Sequence, residues 1–422
     1  MRKRAPRRLT KVVATLSAGV LASATLAACG GSDGGVPVVN MYGGYPQTEA
    51  LVEKCNKEAE GEYKIVGNLL PSDADGQREQ FVRRLAAEDD SLDLLGMDVT
   101  WTAEFAEAGW IRELTEEQKV AATEDTLQTT IDTAMWEDKL YGIPKHTNVQ
   151  LLWFRKSLVP EPPKTWEEVL EMSQKLKDEG KPYVIGLTAA QYEGYVVGFN
   201  TILASLGGKL VNEDSTKPTI DEKTVEALAI LKDLATGGLA SKSLSNSQEP
   251  EVFAQMQTEE AAFIINWPYV LSAMKDADEE IADDLGYTKL PEFAPGQAPR
   301  ATLGGMNFAV SKFSKHPEEA FDAAMCLRTP ESQLQIALEV GEPPVAPSVY
   351  ENPEFKEAYP MGPEMLEELK TAVPRPITPL YQNISTIVSS TLSPPSSIDP
   401  ESTAKELESK IQDAIDGKGI LP

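Results

Sequence analysis

Along residues 36–98 the apolar positions alternate between two spacings. Residues 36–41 form a short apolar run, residues 47–60 carry their apolar side chains at helical spacing, and residues 63–70 return to a short run. Residues 75–88 then place Phe81, Val82, Leu85 and Ala86 on one helical face, and residues 92–97 close the series with an apolar run that stops at Asp98. Short runs between polar turns read as strands, and the i, i+3, i+4 pattern between them reads as amphipathic helix. The order predicts βαβαβ, the unit of an open, mostly parallel sheet whose ligands gather at the carboxyl ends of the strands. Asp98 stands at such an end.

Helix starts continue downstream. Thr115 with Gln118 and Thr165 with Glu168 fit capping boxes, while Pro317 and Pro330 suit first helical positions. Asp399-Pro400 opens a final helix through Ile415, with Leu407, Ile411 and Ala414 on one face. A buried strand is expected over residues 149–154, and no internal repeat or heptad pattern is present. The fold class expected is α/β.

The amino terminus changes the picture. Six basic residues and no acidic one precede an uncharged apolar run from Val12 to Leu26, which is the pattern of a secretory signal peptide and too short to span a bilayer permanently. It ends in Leu26-Ala27-Ala28-Cys29-Gly30, which resembles a bacterial lipobox. The resemblance implies that Cys29 is lipidated after removal of residues 1–28, with residues 29–35 as a flexible tether. Removal takes six basic charges from a formal net charge of −27 and leaves −33. Such acidity repels nucleic-acid phosphates and anionic headgroups, so no nucleic-acid partner and no membrane contact beyond the lipid anchor are expected.

Nearly 400 mature residues exceed what one core organises, so two domains are expected. Cys55 and Cys326 remain as a candidate disulfide in an oxidising compartment. Such a bond would join the first helix to the helix over residues 317–327. The chain would then leave its first domain, build a second, return, and cross again near Asn352-Pro353. This assigns residues 36–148 and 303–352 to one lobe and residues 149–302 and 353–422 to the other. Lobes joined this way have a hinge and a cleft suited to closing on a ligand.

Catalytic groups are sparse. Only His146 and His316 occur, and no HExxH, CxxC, GxSxG, P-loop or EF-hand pattern is present, so neither a metal nor a cofactor is expected. The 66 acidic residues leave room for a glycosidase carboxylate pair, the alternative from the enzyme class. A surface adhesion module is a further alternative. The remaining candidates suit a neutral, hydroxylated ligand. Trp267, in Asn266-Trp267-Pro268 after the apolar run 261–265, offers a face for a sugar ring or simply fills the core. Asn148 offers a donor and an acceptor or caps a turn; Asp98 accepts from hydroxyls or caps the helix near Trp101. Arg375, between Pro374 and Pro376, is a fixed guanidinium or a surface ion pair, and Gly304-Gly305 permits close backbone approach or a turn.

Several stretches carry a resemblance: residues 94–110 (LLGMDVTWTAEFAEAGW), 147–153 (TNVQLLW), 266–268 (NWP), 304–307 (GGMN), 373–376 (VPRP) and 398–404 (IDPESTA). With them the chain resembles the extracellular solute-binding proteins of carbohydrate-importing ABC systems, and within that family the mycobacterial trehalose-binding lipoproteins. The resemblance implies a two-lobed periplasmic-binding-protein-like fold and a monomer lipid-anchored outside the cytoplasm, without enzymatic activity, that delivers trehalose or a related disaccharide to ABC permease subunits. It implies that Asp98 and Asn148 bind sugar hydroxyls, Trp267 stacks on a glucose ring, Arg375 hydrogen-bonds the disaccharide, and Gly305 contributes its backbone. Glu249 would be a ligand-contacting carboxylate, with Glu251 as its substitute because residues 248–251 depart from the family pattern. Cys55 and Cys326 also match family positions. Departures around residues 42–47 and 191–193 leave maltose or maltodextrin as the alternative ligand.

Overall fold

In each of the two main sheets one strand runs against all the others, and the path of the chain explains which one. The protein is represented by a computed structural model that describes residues 35–43, 49–71 and 73–418. The leader and the lipidation expected at Cys29 lie outside the described residues. From Val36 onward the chain forms one compact unit. Its strands are β1 (Val38–Tyr42), β2 (Lys64–Asn68), β3 (Leu94–Asp98), the short hairpin β4 (Met135–Trp136) and β5 (Lys139–Leu140), β6 (Ile143–Asn148), β7 (Leu151–Arg155), β8 (Val184–Gly186), β9 (Ala261–Asn266), β10 (Leu285–Thr288) and β11 (Gly304–Val310).

The first sheet has five strands in the order β2-β1-β3-β11-β6, and the second has four in the order β10-β7-β9-β8. The βαβαβ unit expected from the sequence is β1, β2 and β3 with the helices Glu49–Glu58 and Ala74–Ala86, and its strands pair in parallel. β11 pairs antiparallel with both β3 and β6, and β7 pairs antiparallel with both β10 and β9. The mostly parallel expectation is corrected at these two strands. β3, β6 and β9 end where the sheets face each other, whereas β7 and β11 begin there, because each is the strand by which the chain enters a lobe. An entering strand must run away from the boundary toward which the others run.

Two cores follow from the two sheets. The second sheet is buried in one large cluster that includes Trp153, Phe199, Phe263 and Leu407. The first is covered by two clusters, one around Val39, Ile65 and Phe308 and the other around Phe81, Trp101 and Phe105. The first crossing is abrupt, from Asn148 in β6 to Leu151 in β7. The last is gradual: Ile336 packs with the first sheet's core, whereas Ala337, Ala346 and Val349 pack with the second's. That passage therefore spreads over residues 330–350, upstream of Asn352-Pro353.

The local signals read from sequence have their expected consequences. Both capping boxes close, with Thr115 Oγ1 accepting from Gln118 N and Thr165 Oγ1 from Glu168 N, while Gln118 and Glu168 accept in return from the backbone of the cap. Pro317, Pro330 and Pro400 each occupy the first turn of a helix, where a missing N–H costs nothing. Cys55 and Cys326 are bonded, across a sequence separation of 271 residues. The bond fastens the helix Pro317–Leu327 to the helix Glu49–Glu58 within the first lobe. Replacing both cysteines with alanine is expected to lower stability by about 2–5 kcal/mol, because the unfolded chain regains the freedom of that long loop; urea unfolding of the oxidised and substituted proteins measures it.

Candidate functional site

The face between the sheets is built from strand ends. β3 delivers Asp98, β6 delivers Asn148, β9 is followed at once by Trp267, and β11 begins with Gly304 and Gly305. Gly304 pairs with Asn148 and Met306 with Asp98, so sheet register alone sets these residues side by side. A Cβ on Gly304 would lie 2.9 Å from the Trp267 ring and 3.3 Å from Asn148 Cβ, so the absence of a side chain there lets the indole lie over the strand. Gly305 has φ of 121°, and a Cβ on it would meet His146 O at 2.4 Å. Close backbone approach, not a turn, is therefore what the glycine pair provides. Gly305 O also accepts from Val99 N at 3.2 Å, which ties the entering strand to the residue after Asp98.

Trp267 is held by a polar frame. Buried Asn266 accepts from Trp267 N at 2.9 Å and donates from Nδ2 to Glu249 O at 3.2 Å. The Glu249 carboxylate then takes the Tyr192 hydroxyl on Oε2 at 2.5 Å and lies 3.5 Å from Trp267 Nε1 through Oε1. Burial, with Glu249 beside it, raises the Tyr192 phenol well above its ordinary value, so it remains a donor. Glu251 is occupied elsewhere, accepting from Gln248 N at 3.0 Å at the start of its helix. Of the two carboxylates, Glu249 is the one beside the indole.

Arg375 holds the opposite side. It is not a surface ion pair: it is only 4% exposed, with Nη1 2.5 Å from Glu193 Oε1 and Nη2 3.2 Å from Asp98 Oδ1. Glu193 also accepts from Tyr381 Oη at 2.5 Å and from the Ser385 hydroxyl. Burial raises the Glu193 carboxyl against the opposing pull of Arg375. Burial likewise presses on the guanidinium, but Asp98, Tyr381 and Glu193 outweigh it and hold Arg375 charged. Asp98 does not cap the helix Thr102–Glu107, whose start lacks a side-chain cap; its Oδ1 accepts from Thr100 N and Oγ1 at 2.9 and 2.8 Å as well as from Arg375. Thr102 Oγ1 and Arg375 Nε remain buried without a protein partner beside a narrow crevice lined by Val99, Thr100, Thr133 and Pro376.

All six expected site residues thus line one boundary, in two groups bridged by Gly304 and Asn148. The residues that brace them, Tyr192, Glu193, Asn266, Tyr381 and Glu342, were not read as site residues from sequence. Glu193 had a usable signal: it is the sole charge of the helix Glu193–Ser205, twelve of whose thirteen residues are buried. Glu342 had none, since its partner Asn148 lies 194 residues away.

Two α/β lobes joined by several crossings, with polar and aromatic groups facing each other at their boundary, define a clamshell solute receptor. Residues 43–334 match the model of the bacterial extracellular solute-binding protein family, and the chain belongs to that family. It is similar to a probable ABC transporter-binding protein of Deinococcus radiodurans, 27% identical over 342 residues covering 77% of this chain and 80% of the relative. A maltotriose-binding protein of Pyrococcus abyssi is 26% identical, covering 61% of this chain and 55% of the relative. Among solved structures, maltose-bound MalE3 of T. maritima superposes with a TM-score of 0.81 at 27% identity, covering 89% of this chain and 99% of that one. The protein is a solute-binding component of an ABC transporter and not an enzyme. No helix among the described residues is long and apolar enough to cross a membrane.

The buried ion pairs make a direct expectation. Arg375→Met strands the Glu193 carboxylate and should cost about 3–5 kcal/mol, part of which Glu193→Gln in the same chain restores; urea denaturation of the single and double variants reads both effects.

Proposed function

We propose that this chain captures trehalose, or a closely related glucose disaccharide, between its lobes and presents it to the permease of an ABC importer, held at the membrane by a lipid on Cys29. The observation that carries the reading is the facing of an indole, steadied by Glu249 and Asn266, against the fixed polar groups of Asn148 and the Asp98–Arg375 pair. An indole face packs on the C–H face of a pyranose, and donors and acceptors held in place match sugar hydroxyls. The two cleft carboxylates at Asp98 and Glu249 disfavour anionic solutes, because Arg375 is already engaged by Asp98 and Glu193.

Support for trehalose comes from residues 94–110, 147–153, 266–268 and 373–376, which resemble the trehalose-binding lipoproteins. A second reading, maltose or a maltodextrin, is favoured by the maltose-bound neighbour and by the maltotriose-binding relative. In either case the site residues are Asp98, Asn148, Glu249, Trp267, Gly305 and Arg375. One lobe takes residues 36–148 and 303–352 and the other residues 149–302 and 353–422, with the passage over residues 330–350 shared between them. The closed form gains its stability from ligand contacts that need both lobes at once.

Isothermal titration of trehalose, maltose and maltotriose against the mature domain tests the proposal. Trehalose is expected to bind tightest; a preference for the maltose series selects the second reading, and silence with all three sinks both. Trp267→Ala should weaken the bound sugar by about 1–3 kcal/mol through lost stacking and burial, and unchanged affinity in the same titration would place the site elsewhere.

A further inference from the structure

Asn148 is an amide that can present either end to a ligand, and the structure contains a device that chooses the end. Glu342 lies just past the helix Pro330–Val340, after Gly341 in the left-handed conformation and before Pro343 and Pro344. Its carboxylate is buried and accepts from Asn148 Nδ2 at 3.1 Å. The same oxygen is 3.4 Å from His146 Nε2. Next to it, Thr147 N donates to Pro343 O at 3.0 Å, so two of the interlobe passages are stitched together at this point. With Nδ2 taken, Asn148 Oδ1 is left buried and without a partner in the protein.

An ionised carboxylate has acceptors and no donor, so it admits only the NH₂ end of an amide. We propose that Glu342 is a positioning residue of the binding site: it turns Asn148 Nδ2 inward and so dedicates Oδ1 to accept one hydroxyl of the bound sugar. The assignment rests on the carbohydrate reading of the cleft for its ligand, but the orientation itself does not.

The charged and titratable groups around Glu342 are Lys145 and His146 on β6 and Tyr359 from the segment beyond it. Burial raises Glu342 to about 7 against the pull of Lys145, and burial lowers Lys145 to about 8 against the pull of Glu342. Burial, with Lys145 adjacent, keeps His146 neutral. The orienting carboxylate is therefore lost on acidification closer to neutrality than an ordinary glutamate would be. A protonated Glu342 gains a donor while keeping its carbonyl acceptor, so it no longer holds Asn148 to one orientation, and the amide can present a donor where the sugar expects an acceptor.

The orientation is tested without sugar. In protein labelled with ¹⁵N at asparagine, the side-chain amide signals of Asn148, assigned by their loss in Asn148→Ala, should move between pH 5.5 and 8.5 with a midpoint near 7, and should stay still in Glu342→Gln. Signals that do not move in the unsubstituted protein overturn the proposal. Titration of trehalose then reads the consequence. Glu342→Ala and Asn148→Ala are each expected to weaken binding about tenfold, the worth of one buried hydrogen bond, and the double variant no more than Asn148→Ala alone. The isosteric Glu342→Gln should fold where Glu342→Ala fails and should remove the loss of affinity at acid pH. Additive losses in the double variant, or a pH profile unchanged in Glu342→Gln, would show that Glu342 does not act through Asn148. If the unsubstituted protein binds neither trehalose nor maltose, the carbohydrate reading fails while the amide titration still decides the orientation.

Discussion

The arrangement depends on one buried cation. A guanidinium taken out of water is tolerated only when its charge is answered, and Arg375 is answered by carboxylates from both lobes. Glu193, at the start of a helix in the second lobe, is itself satisfied by Tyr381 and Ser385, so it stays in place as a fixed counter-charge. Asp98 reaches in from the end of β3 in the first lobe. The flanking prolines restrict the backbone at residues 374–376, and the neighbouring Val373 is bound on both sides, donating to Ala301 O and accepting from Leu303 N. Relative placement of the lobes at this edge of the cleft follows from these few bonds.

Aromatic and amide groups at the other edge obey the same logic with neutral partners. Asn266 ends β9 and its side chain spends both its acceptor and its donor on orienting neighbours, Trp267 and the backbone of Glu249. Trp153 reinforces it by donating to Asn266 O at 3.0 Å. The indole is thereby located by hydrogen bonds made at its own backbone rather than by packing alone, and Gly304 keeps the space beneath it clear. The indole is therefore already ordered in the free protein.

Strand and helix positions were legible in the sequence wherever one short signal sufficed. The βαβαβ pattern, the two capping boxes and the prolines at helix starts are local, and each corresponds to an element within a few residues. Family resemblance pointed to candidate residues that the fold brings to one boundary, and geometry narrowed one choice that sequence left open: Glu249, not Glu251, lies beside the indole. The direction of β7 and β11 was not legible, because it depends on which lobe the chain is entering. Nor were the bracing residues. Glu342 and Tyr381 are ordinary in their local surroundings and acquire meaning only from partners nearly two hundred positions away.

The insertion of β11 between β3 and β6 has a consequence for the birth of the molecule. The strand that joins β6 to the rest of the first sheet is encoded by residues 304–310, long after its neighbours on either side. A partly synthesised chain holds the two halves of that sheet with a gap between them and cannot complete the hydrogen-bond ladder. The first sheet therefore stays incomplete until most of the chain's length exists.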